Sequence, residues 1–214
     1  MKLTILGSGA STPKINNYTT SQILKIKNNY FLIDCGEGIQ MQLRKLKINF
    51  SKISCIFISH LHGDHYFGLI GLISTFRLLG RVSDLNIYAP KGLQELINLH
   101  LKLSNSWLNY RIIFHSLTSK SQKIIIDNSD LSVKTIPLNH RIYTNGFLFE
   151  EKFNERNIKK SKIKEYNFKI EDLKKLKKGE DVYLDDGTKI KNSAVLKNLK
   201  KSKKYAFCSD TAYN

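Results

Sequence analysis

The chain reads as an α/β protein, and three features of its sequence carry that reading. Short apolar runs of strand length recur through the first 140 residues, stretches of helical spacing alternate with them, and turn residues separate the two. At 214 residues the chain suits one domain, or one with an appendage, and is long enough to enclose a sizeable core.

In chain order, Leu3–Leu6 reads as a buried strand ended by Gly7 and Gly9. Ile23–Lys27 and Tyr30–Ile33 read as a hairpin about Asn28-Asn29, a pair suited to the left-handed backbone of tight hairpin turns. Asp34-Cys35-Gly36-Glu37-Gly38 then turns the chain into a helix over Ile39–Leu46. Ile53–Ile58 is another buried strand, and it delivers His60 at its carboxyl end. The run Tyr66–Leu79 has helical spacing, with Phe67, Ile70, Leu72, Ile73, Phe76 and Leu79 on its apolar positions. Leu85–Tyr88 predicts a strand, Leu93–Leu103 a helix, and Arg111–Phe114, Lys123–Ile126 and Leu131–Pro137 three more strands. Loops beyond the carboxyl ends of such strands are where α/β proteins build sites, because a rigid sheet fixes the side chains that loops expose.

Composition narrows the partners. Thirty-five Lys and Arg against 18 Asp and Glu give a net charge of +17, which suits a polyanion such as nucleic acid. Lysine supplies 29 of the 35, and Ile and Asn are also plentiful, a bias that an AT-rich genome produces by itself. Cys35, Cys55 and Cys208 form neither a pairable framework nor a CxxC pattern, so a reducing compartment is expected. The start, MKLTILGSGASTP, has too short an apolar run for a signal peptide, and no window has the length of a membrane span; a cytoplasmic protein is the expectation. Between Glu151 and Lys204, 54 residues hold 18 basic and 9 acidic side chains, so the stretch is much the most basic part of the chain. Its few apolar positions predict a solvated insertion with a weak helix at Ile170–Lys177 and a hairpin turn at Asp185-Asp186-Gly187. Tyr205–Cys208 then restores a strand, followed by Asp210.

The densest chemical signal is SHLHGDHYFGL, residues 59–69. His60 and His62, two apart in an extended segment, project the same way and can grip one ion, while Asp64 and His65 face a second. Imidazole and carboxylate without thiolate suit zinc or manganese rather than copper(I) or an iron–sulfur cluster. Such a site also needs a third imidazole and a bridging carboxylate from other strand ends. His140 and Asp210 hold such positions; His115 also ends a strand and His100 lies in a helical pattern.

LGSGASTP at Leu6–Pro13, DCGEGIQ at Asp34–Gln40, FISHLHGDHYFGLIGL at Phe57–Leu72, IYAPKGL at Ile87–Leu93, PLNHRIYTNGFLFEE at Pro137–Glu151 and CSDT at Cys208–Thr211 together resemble the ribonuclease Z family of transfer-RNA 3′-processing endonucleases. The resemblance implies a metallo-β-lactamase fold, an αββα four-layer sandwich, as one domain over residues 1–214 with a basic inserted arm at about 150–193. It implies His60, His62 and His140 on one zinc, Asp64 and His65 on a second, and Asp210 bridging both, with Asp64 also the general base. Two Zn²⁺ per subunit are then expected, with Mn²⁺ as the alternative. Asp34 becomes the residue that fixes the histidine loop rather than a ligand. The arm implies contacts to precursor tRNA, here through Lys159, Lys160, Lys162 and Lys164, and a homodimer in which one subunit's arm serves its neighbour. Two departures stand out: the Gly/Pro-rich arm tip frequent in bacterial members is replaced by a Lys-rich stretch, and Ile39 stands where Thr is usual. The family also continues beyond the bridging aspartate, with one more zinc ligand and a proton donor, both histidines. The fold is therefore expected to be C-terminally truncated here, with a remnant that binds zinc or tRNA but cuts poorly as the alternative to a working nuclease.

Overall fold

The computed structural model describes residues 1–152, 157–197 and 202–213. Its elements run β1 (Lys2–Gly7), β2 (Ser21–Ile26), β3 (Asn29–Ile33), α1 (Ile39–Lys45), β4 (Ile53–Phe57), α2 (Gly63–Tyr66), α3 (Leu69–Leu78), β5 (Leu85–Pro90), α4 (Leu93–Leu103), β6 (Ile112–Leu117), β7 (Ile124–Asp127), β8 (Leu131–Pro137), β9 (Asn145–Glu151), α5 (Lys160–Tyr166), α6 (Ile170–Lys178), β10 (Val182–Tyr183), β11 (Lys189–Ile190), α7 (Asn192–Val195) and β12 (Lys204–Phe207). They form a six-stranded sheet in the order β1-β2-β3-β4-β5-β6, a four-stranded sheet in the order β12-β9-β8-β7, and the ribbon β10-β11.

The chain divides into two compact units. The first comprises Met1–Ile125, Val133–Leu148 and Tyr205–Asn214. Its six-stranded sheet starts with antiparallel pairs and becomes parallel from β3 onward, so β3, β4 and β5 all present their carboxyl ends along one edge. Helices α1, α3 and α4 cover one face: Ile39 and Leu43, then Leu69, Leu72, Ile73 and Phe76, then Leu93 and Ile97, pack with Leu32, Ile56 and Ile87 of the sheet in one buried cluster. Alternate positions on a strand point to opposite faces. Phe57, next to Ile56, accordingly packs with Tyr88 at 5.0 Å and with Phe147 of β9 at 5.3 Å, so the sheet is buried on both sides.

One predicted helix is broken in two. The amide of Gly68 donates to the carbonyl of Cys35 at 2.9 Å, and the carbonyl of His65 accepts from the Cys35 amide at 2.7 Å. These tertiary bonds take the groups that would have continued the helical ladder, so α2 stops at Tyr66 and α3 begins at Leu69. The approach is close enough that a Cβ on Gly68 would lie 2.0 Å from the Gly36 carbonyl oxygen. Strand β9 lies outside the predicted strands.

The second unit comprises Ile126–Ser132 and Phe149–Lys204. The expectation of a merely solvated insertion is corrected here. Ile158, Phe168, Leu176, Val182, Ile190, Val195 and Leu196 form a buried cluster of their own, supplied by α6, the β10-β11 ribbon, α7 and the segments that flank these helices. The apolar positions are few but converge, and Gly187 at φ 80° closes the ribbon turn. All three cysteines are free thiols, Cys35 and Cys55 buried and Cys208 exposed. Among the described residues no helix is long and apolar enough to cross a membrane.

Candidate metal centre

The parallel register sets β3 beside β4, with Ile33 opposite Phe57, so the loops that follow them meet. Asp34 leaves β3 with φ 55°, a left-handed conformation that Asp tolerates better than most residues. There its fully buried carboxylate accepts from the Ser59 amide at 2.7 Å and the Ser59 hydroxyl at 2.8 Å. A third partner, His65 Nδ1, stands 2.7 Å away. With its Nδ1 proton held by Asp34, His65 keeps Nε2 free as a donor to a metal. Ser59 acts likewise on His60, whose Nδ1 lies 3.0 Å from the hydroxyl, leaving Nε2 free.

The free nitrogens converge. His60 Nε2 is 3.0 Å from His62 Nδ1, which is 3.3 Å from His140 Nε2. Nitrogens bound at ~2.0–2.1 Å in a tetrahedral site sit ~3.3 Å apart, so these spacings match the edges of such a site. Asp210 joins them: the ligand atoms of His60, His62, His140 and Asp210 all lie within 4.8 Å of one another. One Asp210 oxygen, Oδ2, lies 3.8 Å from His60 Nε2 and 4.0 Å from His140 Nε2. The other, Oδ1, lies 3.7 Å from His65 Nε2, which is in turn 3.5 Å from Asp64 Oδ2. Asp210 thus faces two groups of donors at once. The four-residue cluster fits a metal site.

Electrostatics suit that use. Burial, with the neighbouring His65, pushes the His60 pKa down to about 4, so its imidazole is neutral and able to ligate. Burial and the Arg141 guanidinium lower His62 also. Burial alone would lower His65, but the hydrogen bond and charge of Asp34 outweigh it and raise its pKa. The carboxylates of Asp64 and Asp210 beside these imidazoles form a set of oxygen and nitrogen donors of the kind that holds a divalent ion.

Of the remaining sequence candidates, His115 stacks on Tyr88 at 4.2 Å and pairs its Nε2 with Asn86 Oδ1 at 2.9 Å, and His100 is exposed on α4. Lys159 caps α5 and donates to the Ala194 carbonyl at 3.1 Å. Lys162 is held by both oxygens of Glu165 at 2.7 Å, while Lys160 and Lys164 are exposed on α5. Sequence reasoning missed three contributors. Ser59 orients two histidines, the Ser11 amide donates to Asp64 Oδ2 at 2.7 Å, and Arg141 Nε approaches His62 Nε2 at 3.2 Å. Ser59 sits inside the histidine motif, and its hydroxyl beside a ligand was the available signal.

Residues 1–161 match the family model described as Anti-Pycsar protein Apyc1. A curated relative named Ribonuclease Z from Bacteroides thetaiotaomicron is 45% identical over 212 residues, covering 99% of this chain and 67% of its own length. Another of the same name from Cytophaga hutchinsonii is 45% identical over 214 residues, covering 100% of this chain and 68% of its own. Among solved structures, the short form of human tRNase Z superposes with a TM-score of 0.65 at 33% identity, covering 70% of this chain and 64% of that one. The chain therefore spans about two thirds of the length of these relatives. A metallo-β-lactamase-fold protein from Bacillus subtilis, at 16% identity and a TM-score of 0.54, shares the fold.

Proposed function

This chain belongs to the ribonuclease Z family, and over residues 1–161 to the family described as Anti-Pycsar protein Apyc1; from that premise we propose that it is a zinc-dependent endoribonuclease that hydrolyses the phosphodiester at the 3′ end of precursor tRNA and leaves a 3′-hydroxyl. The observation that carries the reading is the convergence of His60, His62, His140 and Asp210, with Asp210 turned also toward His65.

His60, His62 and His140 would hold one zinc, Asp64 and His65 a second, and Asp210 both. When bound, such a pair of cations supplies Lewis acidity and lowers the pKa of water at neutral pH. The protein's own residues do the rest. Asp34 and Ser59 lock the ring orientation and proton positions of His65 and His60. Asp64, whose Oδ2 accepts from the Ser11 amide at 2.7 Å, would take the proton of the attacking water as general base. Asp34 is a positioning residue, since both its oxygens are already engaged by Ser59 and His65. Residues 150–193 act as a basic arm on the body of the tRNA, in which exposed Lys160 and Lys164 meet phosphates more freely than Lys162, paired with Glu165, or Lys159, bonded to Ala194. The protein works in the cytoplasm as a homodimer, with each arm serving the neighbouring subunit's site.

The test is to incubate the purified chain and Zn²⁺ with a tRNA precursor carrying a 3′ trailer, beside Asp64→Ala. Cleavage after the discriminator base that Asp64→Ala abolishes supports the reading; binding without cleavage by the unmodified chain rejects it.

A further inference from the structure

The first unit contains a cavity of about 380 Å³ that opens beside His140 and is lined by Ser119 and Lys120 on one side and by residues 137–138 and 140–144 on the other. We infer that it is a nucleotide subsite, in which Arg141 and Lys120 hold a phosphate and Leu138, Ile142 and Tyr143 wall the base of a residue flanking the cut. The inference rests on the nuclease reading for the direction of the chain through the site, but its chemistry is read from the cavity.

Four observations support it. The volume lies at the small end of ligand sites, where a single nucleotide rather than a duplex fits. Its two cations are exposed, and among the described residues neither has an acidic partner, so both are available to an anion. Arg141 suits a phosphate particularly, because its planar fork donates two parallel hydrogen bonds. The walls are built in advance. Tyr143 Oη donates to the Ser119 carbonyl at 3.0 Å and accepts from Asn145 Nδ2 at 2.8 Å. The Asn145 amide donates to the Ser59 carbonyl at 3.1 Å, and the Leu138 amide to the Thr144 carbonyl at 3.1 Å. The cavity is thus tied through Asn145 and Ser59 to the loop that carries the metal-binding histidines.

Arg141 adds a further link. Its Nε now points at His62 Nε2, the nitrogen opposite the one in the cluster. The Arg141 guanidinium thus lies between the cavity and the histidine cluster.

The experiment uses the zinc-loaded chain and compares it with Arg141→Ala, Lys120→Ala and the double variant. Calorimetry measures binding of adenosine 5′-monophosphate, with inorganic phosphate as second probe, and a chromophoric chelator measures zinc affinity. The expected result is an AMP dissociation constant raised at least tenfold in the double variant, zinc affinity within twofold of the unmodified chain in Lys120→Ala, and weaker binding of phosphate than of AMP. On precursor tRNA the variants should raise KM more than they lower kcat. Unchanged AMP binding overturns the inference. Equal affinity for phosphate and AMP, both lost in the variants, also overturns it, by showing an anion site without a base pocket. If the unmodified chain fails to cut precursor tRNA while AMP binding still depends on Arg141, the nuclease reading falls and the subsite stands.

Discussion

Replacing Asp34 by Asn separates the metal-orienting role of this residue from its role in folding. Asn is isosteric and also tolerates the left-handed backbone that Asp34 adopts at φ 55°, so the loop gains no strain. Its side-chain oxygen can still accept from the Ser59 amide, now bonded to Oδ1 at 2.7 Å. Its NH₂ group, however, replaces the Oδ2 that accepts from Ser59 Oγ at 2.8 Å and faces His65 Nδ1 at 2.7 Å. The hydroxyl can rotate and accept instead. His65 can meet an N–H donor only with a bare Nδ1, which moves its proton to Nε2, the atom that should ligate the metal. Loss of such an orienting partner costs ~10–100-fold in metal affinity, or ~1.4–2.7 kcal/mol at 1.36 kcal/mol per tenfold change. The folding cost should stay below ~3 kcal/mol, the upper range for a hydrogen bond to a charged group. Competition with a chromophoric chelator at pH 7.5 reads the affinity and circular dichroism the fold. The expected outcome is a folded protein that retains one tight zinc and binds the second ~10–100-fold more weakly. Two zinc ions bound with unchanged affinity would refute the tautomer argument. Asp34→Ala, in contrast, leaves three donors without an acceptor in a fully buried position and should prevent folding at 37 °C.

Three other outcomes follow from the same geometry. Gly68→Ala should lose ~3 kcal/mol or more in urea unfolding, because its Cβ would meet the Gly36 carbonyl oxygen at 2.0 Å and neither backbone can retreat without breaking the Cys35 bonds. Phe57→Ala should cost ~3–5 kcal/mol, since its ring is fully buried against Tyr88 and Phe147; a loss under ~1 kcal/mol would contradict the two-sided burial of the sheet. The pH dependence has opposite signs with and without metal. Asp34 raises the His65 pKa above its ordinary 6.5, so in the metal-free protein the His65–Asp34 interaction is lost as pH rises through the folded His65 value, and, because burial raises the Asp34 pKa too, it is lost again where that carboxylate takes up a proton at low pH. Metal at Nε2 must displace that proton, so zinc affinity should rise with pH over the same window above 6.5. A chelator titration from pH 6 to pH 8.5 that shows no such rise would exclude His65 as a ligand.

Much of the fold and the site was legible in the sequence, for identifiable physical reasons. Strands such as Ile53–Phe57 are buried on both faces and therefore write themselves as unbroken apolar runs, and helix α4 matches its predicted span at both ends. The histidine cluster was legible because four ligand-type side chains crowd six positions after a strand. What was hidden depends on distant partners. The break between α2 and α3 arises from hydrogen bonds to Cys35, some thirty residues away, which no local periodicity records. Strand β9 opens with Asn145-Gly146 and ends in two glutamates, so its composition resembles a turn although most of it is buried. The core of the second unit escaped notice because Ile158, Phe168, Leu176, Val182, Ile190 and Val195 are spaced too widely to form runs and meet only once the ribbon and helices fold. Likewise Lys162 looked like a free cation in sequence, yet Glu165 one turn later on α5 occupies it.

Where zinc binds decides whether these side chains form one two-metal site. Crystals grown with zinc, measured on both sides of its absorption edge, should show two anomalous peaks on either side of Asp210: one among His60 Nε2, His62 Nδ1 and His140 Nε2, the other between His65 Nε2 and Asp64. Zinc bound elsewhere, or absent from these six side chains at saturating concentration, would contradict the account.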